Sequence, residues 1–334
     1  MTADESESLE TALRGEGGRR ARTVWLPATG ARLHAWLVSP STRPSWPLVV
    51  MAHGWAAVKE MNLDYFAAAM VDAGIAALVF DHRGFGASDG LRGDIDPLQQ
   101  IADYRFALTY AGTLDGVDPA RLGVWGTSYS GGHVLCVAAK DARVRAAVAQ
   151  VPTISGSESM RRRVGEDGLS ELRASWDRDQ AAAAAGHPPR MVPAAEVRES
   201  DLGDHAVGPQ EPVAPHLLPP APRGVYPDAE RGRYYAELPE PRRRTWRNRI
   251  TALSVERYSR YEPGLCLPQV TAPLLVIRAE EDTITPSDLI AGAAETGHHN
   301  VRSLSVPGGH YGVYTAHRAR VAREAARFLA THLT

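Results

Sequence analysis

Lysine is nearly missing from this chain. It occurs only at Lys59 and Lys140 among 37 basic residues, so arginine carries almost all the positive charge. That bias reads as the codon usage of a GC-rich genome rather than as a phosphate-binding surface. An excess of one charge sign is missing too: 37 basic against 39 acidic side chains leave a formal net charge of −2. The basic footprint of a nucleic-acid-binding protein is therefore absent. Cysteine is limited to Cys136 and Cys266, too few for a disulfide framework, and the expectation is that the two stay unpaired. No run reaches the ~18 apolar residues that a membrane-crossing helix needs. Met1–Glu10 is acidic, with neither the charged start nor the apolar stretch of a secretory signal. No His/Asp/Cys cluster has metal-ligand spacing, so neither metal nor cofactor is expected. A cytoplasmic protein without nucleic-acid or membrane partners follows, and a homo-oligomer is compatible with it. The 334 residues are 44% hydrophobic and 23% charged, enough for a proper core. They suffice for about two domains, or one large α/β domain with an insertion.

Residues 1–20 are polar and rich in Gly, Arg and Glu, a flexible lead-in. Thr23–Pro27 and Arg32–Ser39, separated by Thr29-Gly30, predict a hairpin. Pro47–Ala52, Ile75–Phe80, Leu122–Trp125, Val144–Val151, Pro273–Arg278 and Val301–Val306 are short apolar runs that suit strands buried on both faces. Between them lie segments of helical periodicity: Leu63, Phe66, Ala67, Met70 and Val71; residues 95–112; His133–Ala139; and a tail with Val321, Ala325, Phe328 and Leu329 on one face. Strand alternating with helix predicts a mostly parallel sheet covered by helices. The alternation stops between Pro152 and Ala272. The Pro-rich centre of that stretch, about 187–241, is flanked by helix-like Glu158–Ala185 and Arg242–Arg260. The whole stretch from Pro152 to Ala272 carries Trp176, Tyr226, Tyr234, Tyr235, Trp246, Tyr258 and Tyr261. Aromatics are scarce in disordered linkers, so a mostly helical inserted cap over 153–263 is predicted. The core would then comprise 21–152 and 264–334.

The chemistry concentrates at four strand ends. Leu122–Trp125 runs into Gly126-Thr127-Ser128-Tyr129-Ser130-Gly131-Gly132. A serine at a tight strand-to-helix turn is thrust outward on strained backbone, and small flanking residues let strand and helix approach. Ser128 is preferred to Ser130 because it follows the strand directly. A nucleophilic serine needs a base and an orienting acid. After Pro273–Arg278 comes Asp282, in an Asp-x-x-x-Pro turn ending at Pro286 and preferred to Glu280 and Glu281. After Val301–Val306 comes His310. The histidines His298-His299 precede that strand and read as surface residues. The order Ser128, Asp282, His310 is nucleophile, acid, base. After Pro47–Ala52 comes His53-Gly54-Trp55, where the Trp55 amide, with the Tyr129 amide, would receive an oxyanion. Trp55, Trp176 and Trp246 are the candidate pocket residues. Gly84-Phe85-Gly86 is not a dinucleotide-binding motif, because Asp89 occupies the third glycine position.

These four stations, with Asp81-His82-Arg83-Gly84-Phe85-Gly86 after the second parallel strand, resemble the α/β-hydrolase fold superfamily over about 23–152 and 264–334. A narrower likeness rests on His53-Gly54-Trp55 with Lys59-Glu60-Met61, the Gly126–Gly132 turn, Thr245-Trp246-Arg247-Asn248 and Tyr261-Glu262-Pro263-Gly264. These segments resemble capped hydrolases similar to dienelactone-hydrolase and X-prolyl-dipeptidyl-peptidase-type proteins, a group that includes fungal polyketide acyltransferases. The resemblance implies acyl chemistry on a natural-product ester or thioester, a small-molecule substrate. One departure is Gly312, where an acidic residue two places after the histidine is expected. Three readings follow: a serine hydrolase, an acyltransferase using the same acyl-enzyme, and a catalytically silent binding protein on the same fold. The intact Ser/Asp/His set argues against the last.

Overall fold

The computed structural model describes residues 19–40, 45–195, 234, 237–239, 242, 244–296 and 300–334. The lead-in up to residue 18, most of the Pro-rich centre with Tyr226 and Tyr235, and His298-His299 lie outside the described residues.

Eight strands form one sheet. In chain order they are β1 (Arg19–Ala28), β2 (Ala31–Pro40), β3 (Trp46–Ala52), β4 (Ala76–Phe80), β5 (Val117–Thr127), β6 (Val144–Gln150), then, after a long insert, β9 (Leu274–Ala279) and β10 (Val301–Val306). Their order across the sheet is β1-β2-β4-β3-β5-β6-β9-β10. β1 and β2 form the antiparallel hairpin, β2 pairs antiparallel to β4, and every other pairing is parallel. β5 therefore lies inside the sheet, where a residue at its end is reached from strands on both sides.

The pleat explains why the inner strands read as continuous apolar runs. Along β3, Val49 and Met51 join a layer with Phe66 and Val321. Leu48, Val50 and Ala52 join the opposite layer with Tyr104 and Val134. Both faces are covered, so no position is free to be polar. The covering helices are α1 (Leu63–Asp72), α2 (Pro97–Ala111), α3 (Tyr129–Lys140), α6 (Ser287–Thr296) and α7 (Arg318–Leu333). Asp96 caps α2 by accepting from the Leu98 and Gln99 amides, with Pro97 at the first helical position.

The insert contributes α4 (Gly156–Ala184), a two-residue ladder of β7 (Met191–Val192) with β8 (Ile250–Thr251), and α5 (Ala252–Ser259). Gly165 (φ 70°, ψ 178°) breaks α4 internally. The predicted helix over Arg242–Arg260 is only partly present, because Ile250–Thr251 pairs with Met191–Val192 before α5 starts.

The cysteines depart from expectation. Cys136 on α3 and Cys266 in the 3₁₀ segment Pro263–Gln269 are joined as a disulfide, with Cα atoms 5.1 Å apart. Proximity arises because that segment packs on α3: a Cβ on Gly132 would stand 2.8 Å from Pro263. A sequence separation of 130 residues concealed it.

Candidate active site

Ser128 sits between β5 and α3 with φ 56° and ψ −118°, a left-handed backbone that residues with a Cβ rarely adopt. Crowding imposes it. Gly126 has no room for a side chain, since a Cβ there would run into the Ser130 carbonyl. From the other side the loop after β3 presses in: a Cβ on Gly54 would stand 2.7 Å from the Ser128 Cβ and 2.9 Å from the Thr127 carbonyl oxygen. Gly54 thus brings the following residue, Trp55, up to the serine.

His310 begins the 3₁₀ turn His310–Tyr314 after β10, and Asp282 lies in the turn after β9. His310 Nδ1 donates to Asp282 Oδ2 over 2.7 Å, which leaves Nε2 to accept from Ser128 Oγ at 3.1 Å. Asp282 is itself anchored. Its Oδ1 accepts the Ile284 and Thr285 amides, each at 2.9 Å, and its Oδ2 accepts the Thr285 hydroxyl at 2.8 Å. The Thr285 oxygen also lies 3.0 Å from the Val151 carbonyl and 3.2 Å from His310 Nδ1. Three donors on one carboxylate, with 4% exposure of the residue, fix its orientation. Glu280 and Glu281 make no such contact to His310 among the described residues. Thr285 went unnoticed in the sequence, although it lies within the Asp-x-x-x-Pro turn that singled out Asp282.

Ser130 is differently employed. Its hydroxyl donates to the His53 carbonyl and accepts from His82 Nε2 at 2.7 Å, and the residue is fully buried. His53 accepts the Gly54 amide at Nδ1 (2.7 Å) and donates from Nε2 to the Met61 carbonyl (3.0 Å). Burial pushes His53 down to about 4 and His82 down to about 3, so both rings are neutral struts at neutral pH. A second strut is ionic. Lys59, wholly buried, pairs with Asp81 at 2.5 Å and Glu60 at 2.8 Å. Burial opposes its charge, but the two carboxylates outweigh burial and raise it.

A cleft opens on Ser128, about 360 Å³ with its solvent-open mouth included. Trp55, Tyr129, Ile284 and Thr285 line it from the core, and Met160, Arg163, Val255 and Tyr258 from the insert. The rings of Trp55, Tyr129 and Tyr258 meet edge-on or tilted at 5.2–5.8 Å, an aromatic wall of the kind small-molecule sites use. Of the three tryptophans expected in the pocket, only Trp55 lines it. Trp176 is 4% exposed and belongs to the hydrophobic core, while Trp246 is fully buried, its Nε1 donating to the Ala56 carbonyl at 3.0 Å. An indole packs and an indole lines a pocket with the same sequence signature. Met160, Val255 and Tyr258, which do line it, belong to an insert with no motif to single them out. No group of three or more potential metal ligands occurs among the described residues.

A mostly parallel eight-stranded sheet with Ser128, Asp282 and His310 at the ends of β5, β9 and β10 defines an α/β-hydrolase. The X-Pro dipeptidyl-peptidase (S15 family) model matches residues 29–216, and the chain belongs to that family. It is 33% identical over 310 residues to the quorum-quenching protein AidA of Acinetobacter baumannii (strain MDR-ZJ06), covering 92% of this chain and 93% of that protein. It is 29% identical over 261 residues to a thiohydrolase of Eupenicillium brefeldianum, covering 78% and 76%. It is similar to the polyketide transferase GrgF of a Penicillium species, 36% identical over 135 residues that cover 40% of this chain and 45% of that protein. The crystal structure of GrgF superposes with a TM-score of 0.72 at 22% identity, over 94% of this chain and 99% of that one. With thiohydrolases and acyltransferases among its relatives, the chain is an α/β-hydrolase enzyme.

Proposed function

We propose that this enzyme cleaves a carboxylic ester or thioester through an acyl-enzyme on Ser128. The observation that carries the reading is the continuous hydrogen-bonded line from Asp282 through His310 to Ser128 Oγ, opening on a cleft beside the serine. Ser128 Oγ attacks the acyl carbon while its proton passes to His310 Nε2. Asp282 holds the ring in the tautomer that can accept it. The tetrahedral oxyanion is received by the Trp55 and Tyr129 amides. As the C–O or C–S bond breaks, His310 returns the proton to the leaving oxygen or sulfur. Water then repeats the sequence: its proton goes to His310, its oxygen joins the acyl carbon, and Ser128 leaves as the hydroxyl. In this reading residues 153–263 act as a cap that supplies one wall of the acyl pocket.

Transfer of the acyl group to an alcohol or amine in place of water is the second reading. The contribution of Met160, Val255 and Tyr258 to a largely apolar cleft favours it, because a dry acyl-enzyme survives to meet an acceptor. The test is a fluorophosphonate label mapped by peptide sequencing, followed by a p-nitrophenyl ester and acyl-thioester series with and without an alcohol acceptor. The label is expected on Ser128, with turnover of at least one series. Absence of labelling and of turnover in both would overturn the reading.

A further inference from the structure

None of Thr245–Asn248 is among the residues lining the cleft, yet the motif is fastened to the loop that carries Trp55. Trp246 Nε1 donates to the Ala56 carbonyl at 3.0 Å, and Thr245 Oγ1 donates to Glu60 Oε2 at 3.2 Å. Arg242 donates to the Glu60 carbonyl at 3.1 Å and pairs with Asp64 at 2.5 Å. Behind these, Asn248 is pinned to the backbone of Ala195, accepting its amide at 2.7 Å and donating to its carbonyl at 2.8 Å. The far part of the loop is also held by Lys59, which pairs with Asp81 and with Glu60 itself. Ala56 is different. It has φ 54°, a left-handed conformation costly for any residue with a Cβ, and it directly follows Trp55. Such a conformation persists only where its surroundings enforce it. The carbonyl gripped by Trp246 is that of Ala56 itself.

We propose that Trp246 is a positioning residue for the oxyanion site. Its indole N–H holds Ala56 left-handed, and this keeps the preceding Trp55 amide turned toward Ser128. The inference rests on the acyl-enzyme reading above. It gives the insert a second task besides walling the pocket: its returning limb sets the geometry of the core's own oxyanion loop.

Steady-state kinetics on p-nitrophenyl butyrate test it. Trp246→Phe keeps an aromatic ring and removes the donor. A misdirected oxyanion donor acts on the transition state more than on substrate binding, so kcat is expected to fall about 10- to 100-fold with KM within about twofold. Since a substitution in the core can impair folding, 3-benzothienylalanine placed at position 246 by suppression provides the same shape without the N–H, and the same split is expected. Ala56→Gly added to Trp246→Phe is expected to regain about tenfold in kcat, because glycine holds a positive φ unaided. Unchanged kcat with only a lower Tm would make Trp246 a packing residue and overturn the proposal. So would a change confined to KM, or no regain from Ala56→Gly. Fluorophosphonate labelling of the wild type separates the two levels. A wild type that neither labels nor turns over removes the acyl-enzyme reading and this inference with it. An active, labelled wild type matched by equally active variants removes the positioning role alone.

Discussion

The Ser130 hydroxyl is bonded to the His53 carbonyl, so the helix that begins at Tyr129 and the loop that carries Trp55 are joined one residue after Tyr129 and two residues before Trp55. A G-x-S-x-G turn has glycine two places after its serine; here Ser130 stands at that place and serves as a tie. Ser130→Ala is expected to leave labelling of Ser128 intact and to lower kcat by about tenfold. It should also lower stability by about 1–3 kcal/mol through unpaired buried groups on His53 and His82. Ser128→Ala is expected to abolish labelling and lower kcat by up to about a millionfold. Labelling that survives in Ser128→Ala and vanishes in Ser130→Ala would exchange the two roles.

Asp282→Asn is expected to cost about 10⁴ in kcat, through loss of the charge and tautomer control on His310. Thr285→Val removes one of the donors that orient the carboxylate and should cost about tenfold. Equal losses in the two variants, measured as kcat on one ester, would mean that the hydroxyl matters as much as the charge.

His53 and His82 make folding acid-sensitive. Their ordinary value is 6.5, and burial lowers them to about 4 and about 3 in the folded protein. Between pH 6.5 and those values the unfolded chain binds protons that the folded protein refuses. Stability is therefore full above about pH 6.5 and is lost as pH falls toward 3–4, by on the order of 3 kcal/mol per ring. Urea midpoints across that range should slope in the wild type and slope less in His53→Gln. A flat wild-type profile would show that neither ring stays neutral.

Tyr258 and Trp176 both belong to the insert but have different surroundings. Tyr258→Ala enlarges the cleft and should raise the ratio of long-chain to short-chain ester rates several-fold. Trp176→Ala leaves a cavity in the core, costs about 3–5 kcal/mol, and should leave that ratio unchanged. A shift in the ratio with Trp176→Ala, at unchanged Tm, would move Trp176 into the pocket wall.

The fold was legible because strands buried on both faces have to be apolar throughout, and each ends abruptly in the small or polar residues that form Gly54, Ser128, Asp282 and His310. Chain order alone was enough to nominate a nucleophile, an acid and a base. The insert was not legible in the same way. Trp246 and Trp176 are buried away from the cleft, and nothing in their neighbours in sequence distinguishes that from lining it. The limb around Thr245–Arg249 has helical spacing but is drawn into a strap by contacts with Ala56, Glu60 and Ala195, all of them remote in sequence. The Cys136–Cys266 bond was hidden for the same reason.

That bond has a consequence for the covalent integrity of the molecule. It closes a ring that runs from α3 through the entire insert to the 3₁₀ segment before β9. A single nick at any peptide bond between Cys136 and Cys266 leaves one molecule, with Ser128 on one fragment and Asp282 and His310 on the other. In oxidising surroundings the halves of the triad stay tethered. Once the disulfide of a molecule nicked in the insert is reduced, Ser128 is held to Asp282 and His310 by non-covalent contacts alone, the β6–β9 ladder among them.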